Sequence, residues 1–298
     1  MNRGPILAAT LRRLAECRPL PDELIVVEQS AEVHSEVVEA MALFGERGFL
    51  RRQGLPNAQL ARNEAARMAR SGILLFLDDD VDPDRNLIEA HRENYRDASI
   101  HAVGGFYLEP GERESDQLRP VKRGLPLTQL EQVPAGYSQR MDSPLWPSCN
   151  GSVRRETFLR LGGMDENYLF TLLDDTDFSV RLQKAGLRCV HDPRARLLHL
   201  KEATGGKRPI RLGDQVIGSR NKWYTWFYFF WMNYGWRGLG EIFLRMRTNV
   251  FRKPYFLQPH LLLLAIYEMT VGLGQAVGAV LRGRQLSREK SQKMEEGI

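Results

Sequence analysis

Over the first two thirds of the chain, short continuous apolar runs alternate with amphipathic stretches. Glu23-Leu24-Ile25-Val26-Val27-Glu28 and Ile73-Leu74-Leu75-Phe76-Leu77 are too short for amphipathic helices and predict buried strands. Ile100 to Leu108, with Gly104-Gly105 at its centre, predicts another, and Leu187 to Val190 and Ala195 to Leu200 predict two short ones. Ile6, Leu7, Leu11 and Leu14 fall at helical spacing between Ile6 and Cys17, before a turn marked by Pro19 and Pro21. Ala31 to Phe44 and Asn57 to Arg70 predict further helices, and Asp82-Pro83 is a good cap for one over Asp84 to Arg96. Arg154 to Leu161 predicts a short helix ending at Gly162-Gly163, and Asp174-Asp175-Thr176-Asp177 open one that stops at Gly186. Such alternation predicts an α/β fold on a largely parallel sheet. Periodicity is lost from Glu109 to about Trp146, where so long a loop predicts a binding lid or a disordered segment.

Beyond Leu200 the pattern changes. Trp223, Tyr224, Trp226, Phe227, Tyr228, Phe229, Phe230, Trp231, Tyr234 and Trp236 crowd together among arginines and lysines. That mixture suits a membrane interface, and its first turns equally suit a core helix packed on the body. Leu261 to Leu281 is about long enough to cross a bilayer by the ~20-residue rule. Glu268, Gln275 and its glycines predict an interfacial helix instead, and Arg282, Arg284, Arg288 and Lys290 would favour an anionic leaflet. The expected division is a body over residues 1–205 and a helical tail over 206–298.

Charge follows the same division. Of 42 lysines and arginines and 37 acids, 15 basic and 6 acidic residues lie from Lys207 onward, leaving 27 against 31 before it. An acidic body with a basic tail argues against nucleic acid as a partner, despite the net charge of +5. Cys17, Cys149 and Cys189 lack metal-ligand spacing, and no signal-peptide pattern is seen, so a reducing, cytoplasmic setting is expected.

The chemistry concentrates where the Ile73 to Leu77 strand ends, at Asp78-Asp79-Asp80. Adjacent carboxylates repel one another, and open α/β sheets bind ligands beyond their strands' carboxyl ends. A divalent cation holding a nucleotide diphosphate would use such a ledge; the alternative is a set of turn and cap residues.

Taken in order, several segments resemble the family-2 inverting glycosyltransferases of the GT-A fold. They are Glu23 to Glu28, Ala61-Arg62-Asn63, Phe76 to Asp80, Asn150-Gly151-Ser152-Val153-Arg154-Arg155, Gly162-Gly163-Met164-Asp165-Glu166, Asp174 to Gly186, and His199. The resemblance covers about Asn2 to Leu200 and implies a GT-A-type, Rossmann-like α/β body flanked by helices, with a membrane-associating helical tail. It implies that Asp78 and Asp80 belong to the Asp-x-Asp pair around Mn²⁺ or Mg²⁺, with His199 as a further ligand. Glu28, Arg62, Asp78 and Asp79 fall on the nucleotide-sugar side, and Asn150, Gly151 and Asp174 on the acceptor side. Asp175 matches the general base, which must deprotonate an acceptor hydroxyl as it attacks the anomeric carbon. Any of Asp174, Asp175 and Asp177 could instead cap the helix, and one is expected to.

The resemblance thus implies transfer from a nucleotide-diphosphate sugar to a hydroxyl of a glycan or lipid-linked acceptor, at the inner face of the cell membrane. The rival from another class is an inert, membrane-docked binding protein derived from a transferase. A sugar nucleotidyltransferase would want a Gly-rich phosphate loop that the N-terminal segment lacks. One departure stands out. Family members begin with a strand and a Pro-Thr-x-Asn-Arg turn, of which only Asn2-Arg3 is present. The expectation is a polypeptide that extends upstream, with that strand well inside the sheet.

Overall fold

The computed structural model describes residues 3–54, 57–115, 119–120, 132–133, 136–168, 173–201, 211–212, 215–216, 220–249 and 259–286. Much of the expected lid between Glu109 and Trp146, the boundary near residue 205, and Arg288 and Lys290 lie outside the described residues.

The apolar runs form strands as their patterns dictate: β1 (Leu24–Glu28), β3 (Ile73–Leu77) and β5 (Ile100–Leu108). Two strands escape the pattern: β2 (Gly48–Arg52), a mostly exposed segment ending in two arginines, and β4 (Val81–Pro83). β6 (Met141–Asp142) and β7 (Asn150–Arg154) follow, and β8 (Arg188–His199) joins the two short strands predicted there through a register shift between Asp192 and Arg196. The main sheet runs β3-β7-β5-β8-β4, with β6 beside β8, and β1 and β2 form a separate parallel pair.

The α/β class stands, but the main sheet is mixed. Among the described residues β5 and β8 are its one parallel pair of neighbours; β7 lies antiparallel between β3 and β5, and β4 and β6 lie antiparallel to β8. The helix expected from Asp84 starts at Leu87, because Val81 to Pro83 is drawn into a ladder with Leu197, Leu198 and His199. Asp82 then accepts from Arg13 Nε at 2.7 Å and caps nothing.

The helices α1 (Gly4–Leu14), α2 (Ser35–Ala42), α3 (Ala58–Met68), α4 (Leu87–Asn94), α5 (Arg155–Arg160) and α6 (Asp174–Lys184) cover these strands. Asn57 caps α3 by accepting from Gln59 N and Leu60 N, both at 3.0 Å. Leu11, Leu14, Val26, Val37 and Phe44 form one core beneath α1 and α2. Ala66, Phe76, Trp146, Val153, Phe158 and Phe178 form another, with Trp146 and Phe178 rings 4.9 Å apart.

β1 and β3 are both edge strands, and between them opens a cleft of about 1640 Å³, lined by both strands, α1 and α3. Glu23, at the head of β1, accepts from Arg70 N and Ser71 Oγ, just before β3 begins, so the two strands start at the same end of the cleft.

The tail comprises α7 (Arg220–Tyr234), α8 (Leu239–Asn249) and α9 (Pro259–Arg282). Its first helix takes the core option: Tyr224, Tyr228, Phe229 and Phe230 are buried with Tyr168 and Val180 of the body in one cluster. Ala276 and Ala279 of α9 complete it. The stretch Leu262–Arg282 is long and apolar enough to cross a membrane by length and composition, with 28% of its apolar window buried. Trp236, Phe243, Leu263, Tyr267 and Leu281 are exposed on this unit, Trp236 and Leu281 at 76% and 82%.

Candidate active site

β3 ends at Leu77, so Asp78, Asp79 and Asp80 emerge at the carboxyl edge of the sheet. The turn is held by Leu200 N, which donates to Asp80 O at 2.8 Å, and by Thr10 Oγ1, 2.9 Å from the carbonyls of Asp79 and Val81. The β4–β8 ladder sets His199 opposite Val81. His199 Nε2 consequently lies 3.3 Å from Asp80 Oδ1 and 3.6 Å from Asp78 Oδ2. One ligand atom from each of Asp78, Asp80 and His199 falls within 4.8 Å of the others, among the described residues.

These residues fit a small divalent ion. Metal–oxygen bonds of ~2.1 Å in an octahedron put neighbouring ligand atoms roughly 3 Å apart, close to the separations here. Two carboxylates with one imidazole form a donor set that suits Mn²⁺ and tolerates Mg²⁺. Burial alone would lower the His199 pKa; the hydrogen bond to Asp80 and the charges of Asp78 and Asp80 outweigh it and raise the pKa. The Asp78 pKa is raised, chiefly by burial, against the opposing pull of Arg62 and His199.

Two guanidinium groups flank the cluster. Arg3 Nη1 lies 2.9 Å from Asp79 Oδ1 and 3.2 Å from Asp80 Oδ2. Arg62 spans the cleft floor, with Nη2 3.1 Å from Asp78 Oδ1 and Nη1 3.4 Å from Asp174 Oδ2. Burial works against the charge of Arg62, but Asp78, Asp174 and Asp175 hold its pKa above the ordinary value. Glu28 ends β1 on the same cleft, nearly buried, its Oε1 accepting from Ser30 N at 2.8 Å.

α6 presents its first turn to the cleft, where Asp174 and Asp175 both form part of the lining. None of its three aspartates caps the helix: the cap position is Leu173, at φ 64°, and it makes no side-chain cap bond. The charges of Asp175 and Asp177 still favour the helix start through its dipole. Asp175 Oδ2 accepts from Ser148 N at 3.2 Å and lies 3.4 Å from Ser148 Oγ, which aims it while leaving it partly exposed. Asp174 is buried instead and accepts from Gln59 Nε2 at 2.7 Å. Its pKa is driven well above the usual carboxylate range by burial and then by the charge of Asp175.

Asp80 and Asp175, distant in sequence, therefore open onto one cleft with Glu28, Arg62, Asp78, Asp79, Asp174 and His199. Asn150 and Gly151 do not join them on the acceptor side. Asn150 is fully buried, its Nδ2 donating to Phe106 O and Ala195 O and its Oδ1 3.0 Å from His91 Nε2. Gly151 sits against Trp146, where a Cβ would come within 2.2 Å of Pro147 O. Both are packing residues of a strand buried on two faces. Tyr107, Ser148, Gln59 and Lys201 line the cleft without any motif to announce them, and Arg3 belongs to the Asn2-Arg3 remnant.

Comparison with known proteins follows this geometry. Residues 1–146 match the family model described as glycosyl transferase family 2. An N-acetylglucosaminyl-diphospho-decaprenol L-rhamnosyltransferase of Mycobacterium tuberculosis, in strains CDC 1551 / Oshkosh and ATCC 25618 / H37Rv, is 44% identical over 57 residues. That stretch is 19% of this chain and spans 18% of the relative's length. The crystal structure of GalNAc-T7 with UDP, GalNAc and Mn²⁺ shares the fold, with a TM-score of 0.58 at 16% identity over 76% of this chain and 46% of its own. A mannosyltransferase from Pyrobaculum calidifontis in complex with GDP-Man and Mn²⁺ aligns at TM-score 0.47 and 17% identity, over 99% of this chain and 76% of its own.

Proposed function

Residues 1–146 match glycosyl transferase family 2, and from that premise we propose a divalent-metal-dependent, inverting transferase that takes its sugar from a nucleotide-diphosphate donor. The observation that carries the reading is the convergence of the Asp78–Asp80–His199 cluster and the separately oriented Asp175 on one cleft.

Asp78, Asp80 and His199 would hold Mn²⁺ or Mg²⁺, which when bound neutralises negative charge gathering on a departing diphosphate. Arg62 and Arg3 border the same ledge and offer charge-assisted hydrogen bonds to phosphate oxygens. Glu28 sits where a nucleoside could reach an acceptor oxygen at the end of β1. Across the cleft, Asp175 takes the proton of an acceptor hydroxyl as that oxygen attacks the anomeric carbon and the nucleoside diphosphate leaves from the opposite side. One displacement of this kind inverts the anomeric centre. Asp174, engaged by Gln59 and Arg62, serves the wall and not the acceptor.

The rhamnosyltransferase relative, named for a lipid-linked diphospho-sugar acceptor, and the exposed apolar residues of α8 and α9 support a glycan or lipid-linked acceptor met at a membrane. On this reading the body sits at the cytoplasmic face, with cations of the tail toward an anionic surface, in a step of polysaccharide assembly.

The test is a thermal-shift screen of uridine, guanosine and thymidine diphosphate sugars with Mn²⁺, followed by nucleoside-diphosphate release with the best donor. Release should vanish on chelation, return with Mn²⁺, and be absent in Asp80→Ala. Unchanged release in both conditions would sink the metal-dependent reading. Absence of any nucleotide binding would favour the inert, membrane-docked rival.

A further inference from the structure

Arg284 follows the long apolar helix α9 in a tail rich in cations, yet it is not a surface charge. Its side chain is 16% exposed, and Nη1 lies 2.7 Å from Asp177 Oδ1 and 3.2 Å from Asp165 Oδ2, both fully enclosed carboxylates. Nη2 donates to Asn233 Oδ1 at 3.0 Å and to Met232 O at 3.3 Å. The backbone on either side is tied down as well. Asn167 Nδ2 donates to Gly283 O at 2.9 Å, Gln285 N donates to Asp165 Oδ1 at 3.2 Å, and Glu166 N donates to Gln285 O at 3.1 Å. Leu286 packs on Gly162, where an added Cβ would fall 2.8 Å from its own.

The two carboxylates stand behind two elements that line the cleft, α6 and α3. Asp177 lies in α6, two residues beyond Asp175. Asp165 lies in the turn that supports α3, the helix of Arg62, since Asn63 Nδ2 donates to Met164 O at 2.9 Å and Asn57 Nδ2 to Glu166 O at 3.1 Å. Resting on the transferase reading, we infer that Gly283 to Leu286 form a strap that fixes α6 and the Gly162 to Asn167 turn, with Arg284 as a positioning residue for Asp175.

The charge count explains why this place needs a cation. Asp177 is also met by Arg181 Nε at 2.9 Å, Asn233 Nδ2 at 2.8 Å and Tyr168 Oη at 3.2 Å, and Asp165 by Tyr228 Oη at 2.8 Å. Without Arg284, Asp177 would keep Arg181 and Asp165 would keep no guanidinium among the described residues, and the repulsion between two buried carboxylates is relieved by separating them. Separation moves α6 relative to the turn, and Asp175 moves with it. The tail is then part of the site's scaffold, which links the seating of α9 to the orientation of the base.

The experiment uses the full chain and three variants: Arg284→Met, Arg284→Lys, and Arg284→Met combined with Asp165→Asn. In Arg284→Met, amide exchange across Asp174–Lys184 and Gly162 to Asn167 should accelerate about tenfold or more while β5 and β8 keep their rates, as expected of a local opening. Turnover should fall on the order of 10²-fold, the scale of an ångström of misplacement, with the donor KM held within about threefold. Removing one carboxylate in the double variant should recover most of both losses, a coupling that simple loss of packing would not produce. Wild-type exchange and turnover in Arg284→Met overturn the inference, and so does uniform acceleration through β5 and β8. If Arg284→Met does not fold, Arg284→Lys decides: intermediate acceleration in α6 supports the strap, and wild-type rates refute it. Should the unaltered chain turn over no sugar nucleotide, the transferase reading fails while the exchange measurements still decide the strap.

Discussion

Asp175→Asn separates proton transfer from everything else the site does. The side chain is partly exposed, and Ser148 N, 3.2 Å from Oδ2, is its principal anchor. Asparagine keeps an oxygen for that donor, so shape and anchoring survive and only the proton-accepting charge is lost. The metal cluster comes from the turn after β3 and the end of β8, with no ligand from α6 among the described residues, so loading of Mn²⁺ and nucleotide should be untouched. A general base of this kind contributes ~10²–10⁴-fold, or about 2.7–5.4 kcal/mol at 1.36 kcal/mol per tenfold. The expected kcat therefore falls by ~10²–10⁴-fold, while KM for the donor is nearly constant. The assay is release of nucleoside diphosphate in the presence of acceptor, with nucleotide binding measured by calorimetry on the same preparation. A variant that binds nucleotide normally and turns over within about tenfold of the parent would refute the assignment, since no base in this role is worth so little.

Two further outcomes are expected. The Asp174 pKa is raised in the folded chain by burial and by Asp175, above an unfolded value of about 3.9, so this carboxyl does not weaken the fold below that value and weakens it progressively as pH rises through the window above it. Asp174→Asn should thus gain Tm relative to the parent between about pH 5 and pH 8, and a difference independent of pH would contradict the burial argument. Vesicles containing phosphatidylglycerol should sediment the full chain more strongly than phosphatidylcholine vesicles, with added salt weakening the difference, and Phe243→Ser with Leu263→Ser should reduce binding to both. Equal recovery with and without lipid would remove the membrane from the proposal.

The clustered carboxylates Asp78 to Asp80 stand out in the sequence by their place at a strand end, and Glu28, Arg62, Asp175 and His199 are named through the resemblance; all of them line the one cleft, while residues placed by long-range pairing were not legible. Asn150 and Gly151 lie off the cleft for a physical reason: a strand buried on both faces leaves polar and small residues to satisfy neighbouring backbone, and a motif cannot tell that use from substrate contact. Antiparallel insertion of β7 between β3 and β5 is a long-range pairing invisible to local periodicity. β2 was missed because it is mostly exposed and its two apolar side chains, Phe49 and Leu50, are followed by two arginines, too short a run to read as a strand. Asp82-Pro83 read as a helix start until the ladder with β8 claimed it. Arg284 misled most, since one arginine among several beside an apolar helix reads as a lipid contact until Asp165 and Asp177 are found around it. For the same reason, cutting the chain near residue 205 would strip Tyr224, Tyr228, Phe229 and Phe230 from the core they share with Tyr168, so the tail is no detachable appendage.

The open trough between β1 and β3 gives this polypeptide a particular temperament in the test tube. Each border displays a row of main-chain donors and acceptors with no sheet neighbour among the described residues, with leucine, isoleucine and phenylalanine among the lining side chains. Such borders recruit strands from whatever chain is at hand. Concentrated preparations should therefore self-associate through this trough, and melting temperature should climb with protein concentration as neighbouring molecules fill it.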